Sequence, residues 1–138
     1  MKYKYSIYHP NKPEVETSNE TVSKTEVIDL VENYPWIEKL NLLNSLKEGE
    51  VYYSPSINFH NISNKHSLEL TANYKNGKLE FSLWYNRKVN ARILLGLFGE
   101  KEKIKVIDKW GFKKEDALEY LQVFLNEDYV KMEQLMTD

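Results

Sequence analysis

Asn76-Gly77 lies at the centre of His66–Asn86, HSLELTANYKNGKLEFSLWYN, where apolar and polar side chains alternate on both sides of it. A two-residue type I′ turn needs positive φ at both central residues, which Asn tolerates and Gly adopts freely. With the turn placed there, Lys75 faces Lys78, Tyr74 faces Leu79, Ala72 faces Phe81, Leu70 faces Leu83 and Leu68 faces Tyr85. The last four pairs are apolar. The intervening pairs are Asn73–Glu80, Thr71–Ser82 and Glu69–Trp84. A slip of one residue would exchange the two faces, so this pattern specifies one register. One face belongs to a core and the other to water, as in antiparallel sheets. Trp84 is the exception on the polar face.

The flanking segments read as follows. Lys2–Tyr8 places Tyr3, Tyr5 and Ile7 on one side and predicts a strand. His9–Glu20 is polar, carries Pro10 and Pro13, and reads as a loop. Ser23-Lys24-Thr25-Glu26 is a capping box, so a helix starts near Lys24 with Val27, Ile28, Leu30 and Val31 inward. Pro35 stops it and opens a second helix. There Trp36, Ile37, Leu40, Leu43 and Leu46 give helical spacing, and Gly49 is the expected C-terminal cap. Val51–His60 alternates with Val51, Tyr53, Ile57 and Phe59 on one face. Pro55 makes it an edge or bulged strand. Val89–Phe98 is apolar on both faces and reads as a buried strand with Gly96 in close approach, or as a short helix. Lys103–Lys109 is a strand whose lysines would blunt an exposed edge. Glu115–Leu125 is a helix with Ala117, Leu118, Leu121, Phe124 and Leu125 on one side. Asn126 ends it and caps a last helix, Glu127–Met136. Two helices, about five strands and two more helices make an α+β fold. The expectation is one domain over residues 1–138, with helices on one face of an antiparallel sheet of five to six strands.

Chemistry is sparse. The chain has no Cys, which excludes disulfides and thiolate metal sites. His60 and His66 flank a short turn and could approach each other, but a metal needs a third ligand from His9, Glu69 or Asn58. No HExxH, GxSxG, GxGxxG or GxxxxGK[ST] pattern occurs, and Gly96-Leu97-Phe98-Gly99 lacks the Lys-Ser/Thr of a phosphate loop. We therefore expect no catalytic residue, cofactor or metal. No apolar run approaches the roughly 20 residues of a membrane span, and MKYKYSIYHP has no apolar h-region. With the absence of Cys, this leads to a cytoplasmic expectation.

A net charge of −2 hides a segregation. Residues 14–50 hold nine acids against three Lys, residues 87–114 hold nine bases against three acids, and residues 115–138 hold seven acids against Lys131. The basic stretch, with Trp110 and Phe112, would suit nucleic acid, but a pI of 6.0 and acidic flanks argue against that partner.

Glu26, Asp29, Glu32 and Glu38 lie on or beside the first two helices, and Glu115, Asp116 and Glu119 lie on a third. In outline and composition (Cys-free, α+β, with acidic helices) the chain resembles small bacterial immunity or antitoxin proteins. That resemblance implies a non-catalytic protein whose acidic face docks on a basic toxin. Trp84, with Glu69, Thr71 and Ser82 around it, is a second candidate contact, because exposed Trp is enriched at interfaces. The alternative is a small-molecule-binding module with a pocket between sheet and helices.

Overall fold

The computed structural model describes residues 2–90 and 102–138, with the side chains at 88–90 and 102–104 left aside. The strands are β1 (Tyr3–Tyr8), β2 (Glu16–Thr17), β3 (Ser56–Asn61), β4 (Ser67–Lys75), β5 (Lys78–Asn90) and β6 (Glu102–Phe112). The helices are α1 (Lys24–Asn33), α2 (Trp36–Ser45), α3 (Lys114–Leu125) and α4 (Tyr129–Thr137). The strands form one antiparallel sheet in the order β2-β1-β3-β4-β5-β6. The fold is α+β, as the element order implies.

The central hairpin has the register set by its turn. Lys75 pairs with Lys78 and every step follows to Leu68–Tyr85 and Ser67–Asn86. Asn76 and Gly77 have φ of 52° and 75°. Leu68, Leu70, Ala72, Phe81, Leu83 and Tyr85 are all buried. They share a core with Tyr3 and Ile7 of β1, Ile57 and Phe59 of β3, and the buried side chains of all four helices. Each helix contributes the stripe its spacing implies: Val27 and Val31, Trp36 and Leu40, Ala117, Leu121, Phe124 and Leu125, then Met132 and Met136.

The α1 capping box is formed. Ser23 Oγ accepts from the Glu26 amide at 3.2 Å, and Glu26 Oε1 accepts from the Ser23 amide at 3.5 Å. Ser23→Ala is expected to lower stability by about 1 kcal/mol, because an amide of the first turn loses its acceptor. Urea denaturation would measure it, and an unchanged midpoint would remove the cap from the account.

Several expectations are corrected. The loop after β1 is tied to it: β2 pairs with β1 and Ser18 Oγ accepts from the Tyr5 amide. β3 begins at Ser56 and is an interior strand, so Pro55 precedes it and causes no bulge. Val51 is exposed, and the Tyr52 amide bonds to the Pro10 carbonyl, holding this stretch against the loop after β1. α2 ends at Ser45, where the Leu46 amide bonds to the Leu43 carbonyl; Gly49 (φ +89°) serves the next turn, and Ile37 is exposed. Asp128, rather than Asn126, caps α4 by accepting from the Lys131 amide. Val89 and Asn90 end β5, while the rest of the apolar stretch through Phe98, Gly96 included, lies outside the described residues.

β6 departs from simple alternation. Phe81 pairs with Phe112 but Leu83 pairs with Lys109, so β6 carries one extra residue opposite Ser82. Gly111, at φ +87°, takes the conformation the bulge requires. The bulge returns Phe112 to the core and leaves Trp110 on the other face, 59% exposed. Lys109 bends toward the helices, where its ammonium donates to the Leu135 carbonyl at 2.9 Å. It is therefore not an edge lysine in the way that exposed Lys105 is.

Candidate binding surfaces

Two surfaces emerge, one on each side of the molecule. The first is helical. α1 and α3 are neighbours, and Lys114 Nζ donates to the Glu32 carbonyl at 2.8 Å. Because the apolar stripes face the sheet, Glu26, Asp29, Glu32, Glu115, Asp116 and Glu119 are all exposed. Among the described residues none of these six carboxylates enters an ion pair; the pairs that form are Lys2–Glu127, His9–Glu16 and Arg87–Glu133. Glu26 has a local duty in the capping box. Glu38, in the first turn of α2, is also exposed. Glu115 and Asp116 sit in the first turn of α3, where negative charge suits the helix dipole.

The second surface is the face of the sheet turned away from the helices. Alternation places Tyr8 of β1, Ser56, Asn58 and His60 of β3, Glu69 and Thr71 of β4, Ser82 and Trp84 of β5, and Trp110 of β6 on it. Trp84 is half-buried, and none of the described helices covers it. Its ring meets Trp110 edge-on at 5.5 Å, and its Nε1 donates to Ser82 Oγ at 3.2 Å. Trp110 Nε1 donates to Asp108 at 2.6 Å. Toward the other edge Tyr8 and Tyr53 pack edge-on at 5.1 Å. Between the aromatic groups the floor is small and polar. Ser56 Oγ and Thr71 Oγ1 share a hydrogen bond of 2.9 Å, and Ser82 is fully buried.

Two acceptors on this floor receive no donor from the described residues. Asn58 and Glu69 are direct cross-strand partners, and Trp84 lies directly across from Glu69 on its other side. Asn58 Oδ1 is buried with no hydrogen-bond partner among the described residues. Burial raises the pKa of the Glu69 carboxyl, and no described residue donates to it. The Tyr8 phenol is also raised, first by burial and then by the charge of Glu69.

The histidines do not form a pair. His60 is exposed on the outer face, whereas His66 stacks on Tyr129 at 4.0 Å and shares a 2.9 Å hydrogen bond with the Tyr85 hydroxyl on the helix side. Among the described residues no three His, Asp or Glu side chains converge as a metal site, and no helix is long and apolar enough to cross a membrane.

The sequence predicted the exposure of the acidic helix residues and the pairing of Glu69 with Trp84. It missed Trp110, because the bulge that brings Trp110 beside Trp84 has only Gly111 as its local signal. It missed the conjunction of Asn58 with Glu69, because that depends on how β3 aligns with β4. A scan against protein-family models, a search of the curated proteins and a search of the solved structures each return no match to this chain.

Proposed function

We propose that the chain is a non-catalytic protein-binding protein that sequesters a basic partner, in the manner of an immunity protein against a toxin. The observation that supports this reading is the set of six exposed carboxylates on the neighbouring helices α1 and α3, none of them ion-paired among the described residues. These six carboxylates outnumber Lys24, Lys113 and Lys114 on and beside the same two helices and are not ion-paired with them, and a net negative field of this kind steers a basic protein toward the surface that carries it. A small-molecule pocket between sheet and helices has less support, because Tyr3, Phe59, Phe81, Tyr85 and Phe124 already fill that layer.

The test is charge reversal. Glu32→Lys with Glu119→Lys is expected to slow association with a basic probe protein by roughly tenfold at low ionic strength. The difference should shrink as salt is raised toward and beyond the physiological range. Stopped-flow association rates across ionic strength would measure it. Rates indifferent to both salt and reversal would overturn electrostatic capture by the helices.

A further inference from the structure

We infer that the outer face of the sheet is a guanidinium site, in which Glu69 and Asn58 accept from an arginine side chain of the protein partner while Trp84 stacks on its plane. The inference rests on the protein-binding reading and adds to it a second contact surface, on the side of the sheet opposite the acidic helices. The argument starts from which groups on this face lack partners. The hydroxyls of Ser56 and Thr71 satisfy each other, and Ser82 accepts from Trp84. What remains are acceptors to which no described residue donates: the carboxylate of half-buried Glu69 and the buried Oδ1 of Asn58 directly across the strand pair. A buried acceptor without a donor costs roughly 1–3 kcal/mol, and more when it is charged. The Oδ1 of Asn58 carries that cost in the free protein, and a ligand that brings N–H donors to it and to Glu69 would relieve it.

Arginine matches that demand better than other side chains. Its guanidinium carries five N–H donors in a rigid plane and no acceptor, and it pairs with a carboxylate through two parallel hydrogen bonds. The same plane stacks on an indole, where the ring quadrupole adds attraction. Trp84 is the cross-strand neighbour of Glu69, so one cation can meet both. Lysine offers a compact ammonium that meets the carboxylate at a single point and lacks the planar fork that stacks on an indole. A sugar would bring as many acceptors as donors and would leave Glu69 and Asn58 competing with its oxygens. Charge points the same way, because Glu69 and Asp108 are the two cross-strand partners of Trp84 on this face.

The three tryptophans make the proposal directly observable. In a ¹H–¹⁵N spectrum each indole N–H gives its own signal, and Trp36, buried with its Nε1 on the Val31 carbonyl, is an internal control. Hexa-arginine and hexa-lysine, titrated at fixed ionic strength, are the probes. Hexa-arginine is expected to shift the Trp84 signal saturably, leave Trp36 in place, and bind this site roughly tenfold or more tighter than hexa-lysine, the scale of one charge-assisted hydrogen bond. Glu69→Gln should remove that advantage while its other signals hold their positions, and Glu32→Lys with Glu119→Lys should leave the Trp84 response intact. That second variant separates the two readings: helical capture can fail with the Trp84 response still present, and the reverse. An unmoved Trp84 signal, equal affinity for the two peptides, or an undiminished preference in Glu69→Gln would each overturn the guanidinium site.

Discussion

Replacing Phe81 with Ala is expected to destabilise the protein by about 3–5 kcal/mol, the range found for fully buried aromatic side chains. Phe81 is 1% exposed and lies where the layers meet. Its ring meets Trp36 of α2 edge-on at 5.0 Å, and its strand neighbours are Ala72 and Phe112. Ala72 is too small to move into the space that the missing ring would leave. Trp36 is fixed by its hydrogen bond to the Val31 carbonyl and by Tyr34 at 4.6 Å. The site therefore cannot collapse, and the cavity term adds to the lost transfer energy. Native stabilities run to only about 5–15 kcal/mol, so the variant should be close to unfolding at ambient temperature. Urea denaturation followed by tryptophan fluorescence would measure the change. A loss below about 1.5 kcal/mol, well under the range for a buried aromatic ring, would mean that α2 does not pack on the hairpin as described.

The second expected result concerns the hairpin turn. Gly77→Val should cost about 2 kcal/mol or more, because a β-branched residue resists the positive φ of 75° found there. A Cβ built at Gly77 meets nothing within 4 Å, so the penalty is one of backbone conformation and not of collision. The two causes can be told apart. Gly77→Asn should recover most of the loss, since Asn tolerates the left-handed region, although its side chain is no smaller than that of Val. Thermal unfolding of the three proteins would rank them Gly, Asn, Val. Equal losses for Asn and Val would remove the turn conformation from the explanation.

The second of these results concerns a part of the fold that was legible in the sequence, as was the cap of α1, and for a common reason. The turn at Asn76-Gly77 and the cap at Ser23 are local devices: their partners lie within three residues, so spacing suffices to read them. What was not legible depends on alignment between distant segments. Val51 and Tyr53 alternate in step with Ile57 and Phe59, yet the strand starts only at Ser56, because the preceding residues bond to the loop after β1. Lys109 looks like an edge lysine until α4 supplies the Leu135 carbonyl that draws it inward. The acidic residues could be read as exposed, because helical periodicity assigns the opposite face to the core. Glu69 could be placed beside Trp84 by the hairpin register, but its half-buried neighbour Asn58 arrives on β3, and the turn from Asn61 to His66 that sets its offset has no signal as sharp as Asn-Gly.

The strand order also has a kinetic consequence. β3, β4, β5 and β6 follow one another in both sequence and space, so they can zip together as a meander from contacts of short sequence separation. β1 cannot join early. Its partner β3 lies beyond both α1 and α2, and the Tyr3 hydroxyl closes on the Leu125 carbonyl, 122 positions away. Loop-closure entropy opposes such contacts until the meander and α3 are in place to receive them. The meander is thus the natural nucleus and β1 the late arrival. Damage to the hairpin would slow folding, whereas loosening Tyr3 would chiefly hasten unfolding, leaving the lifetime of the native state in the keeping of the first strand.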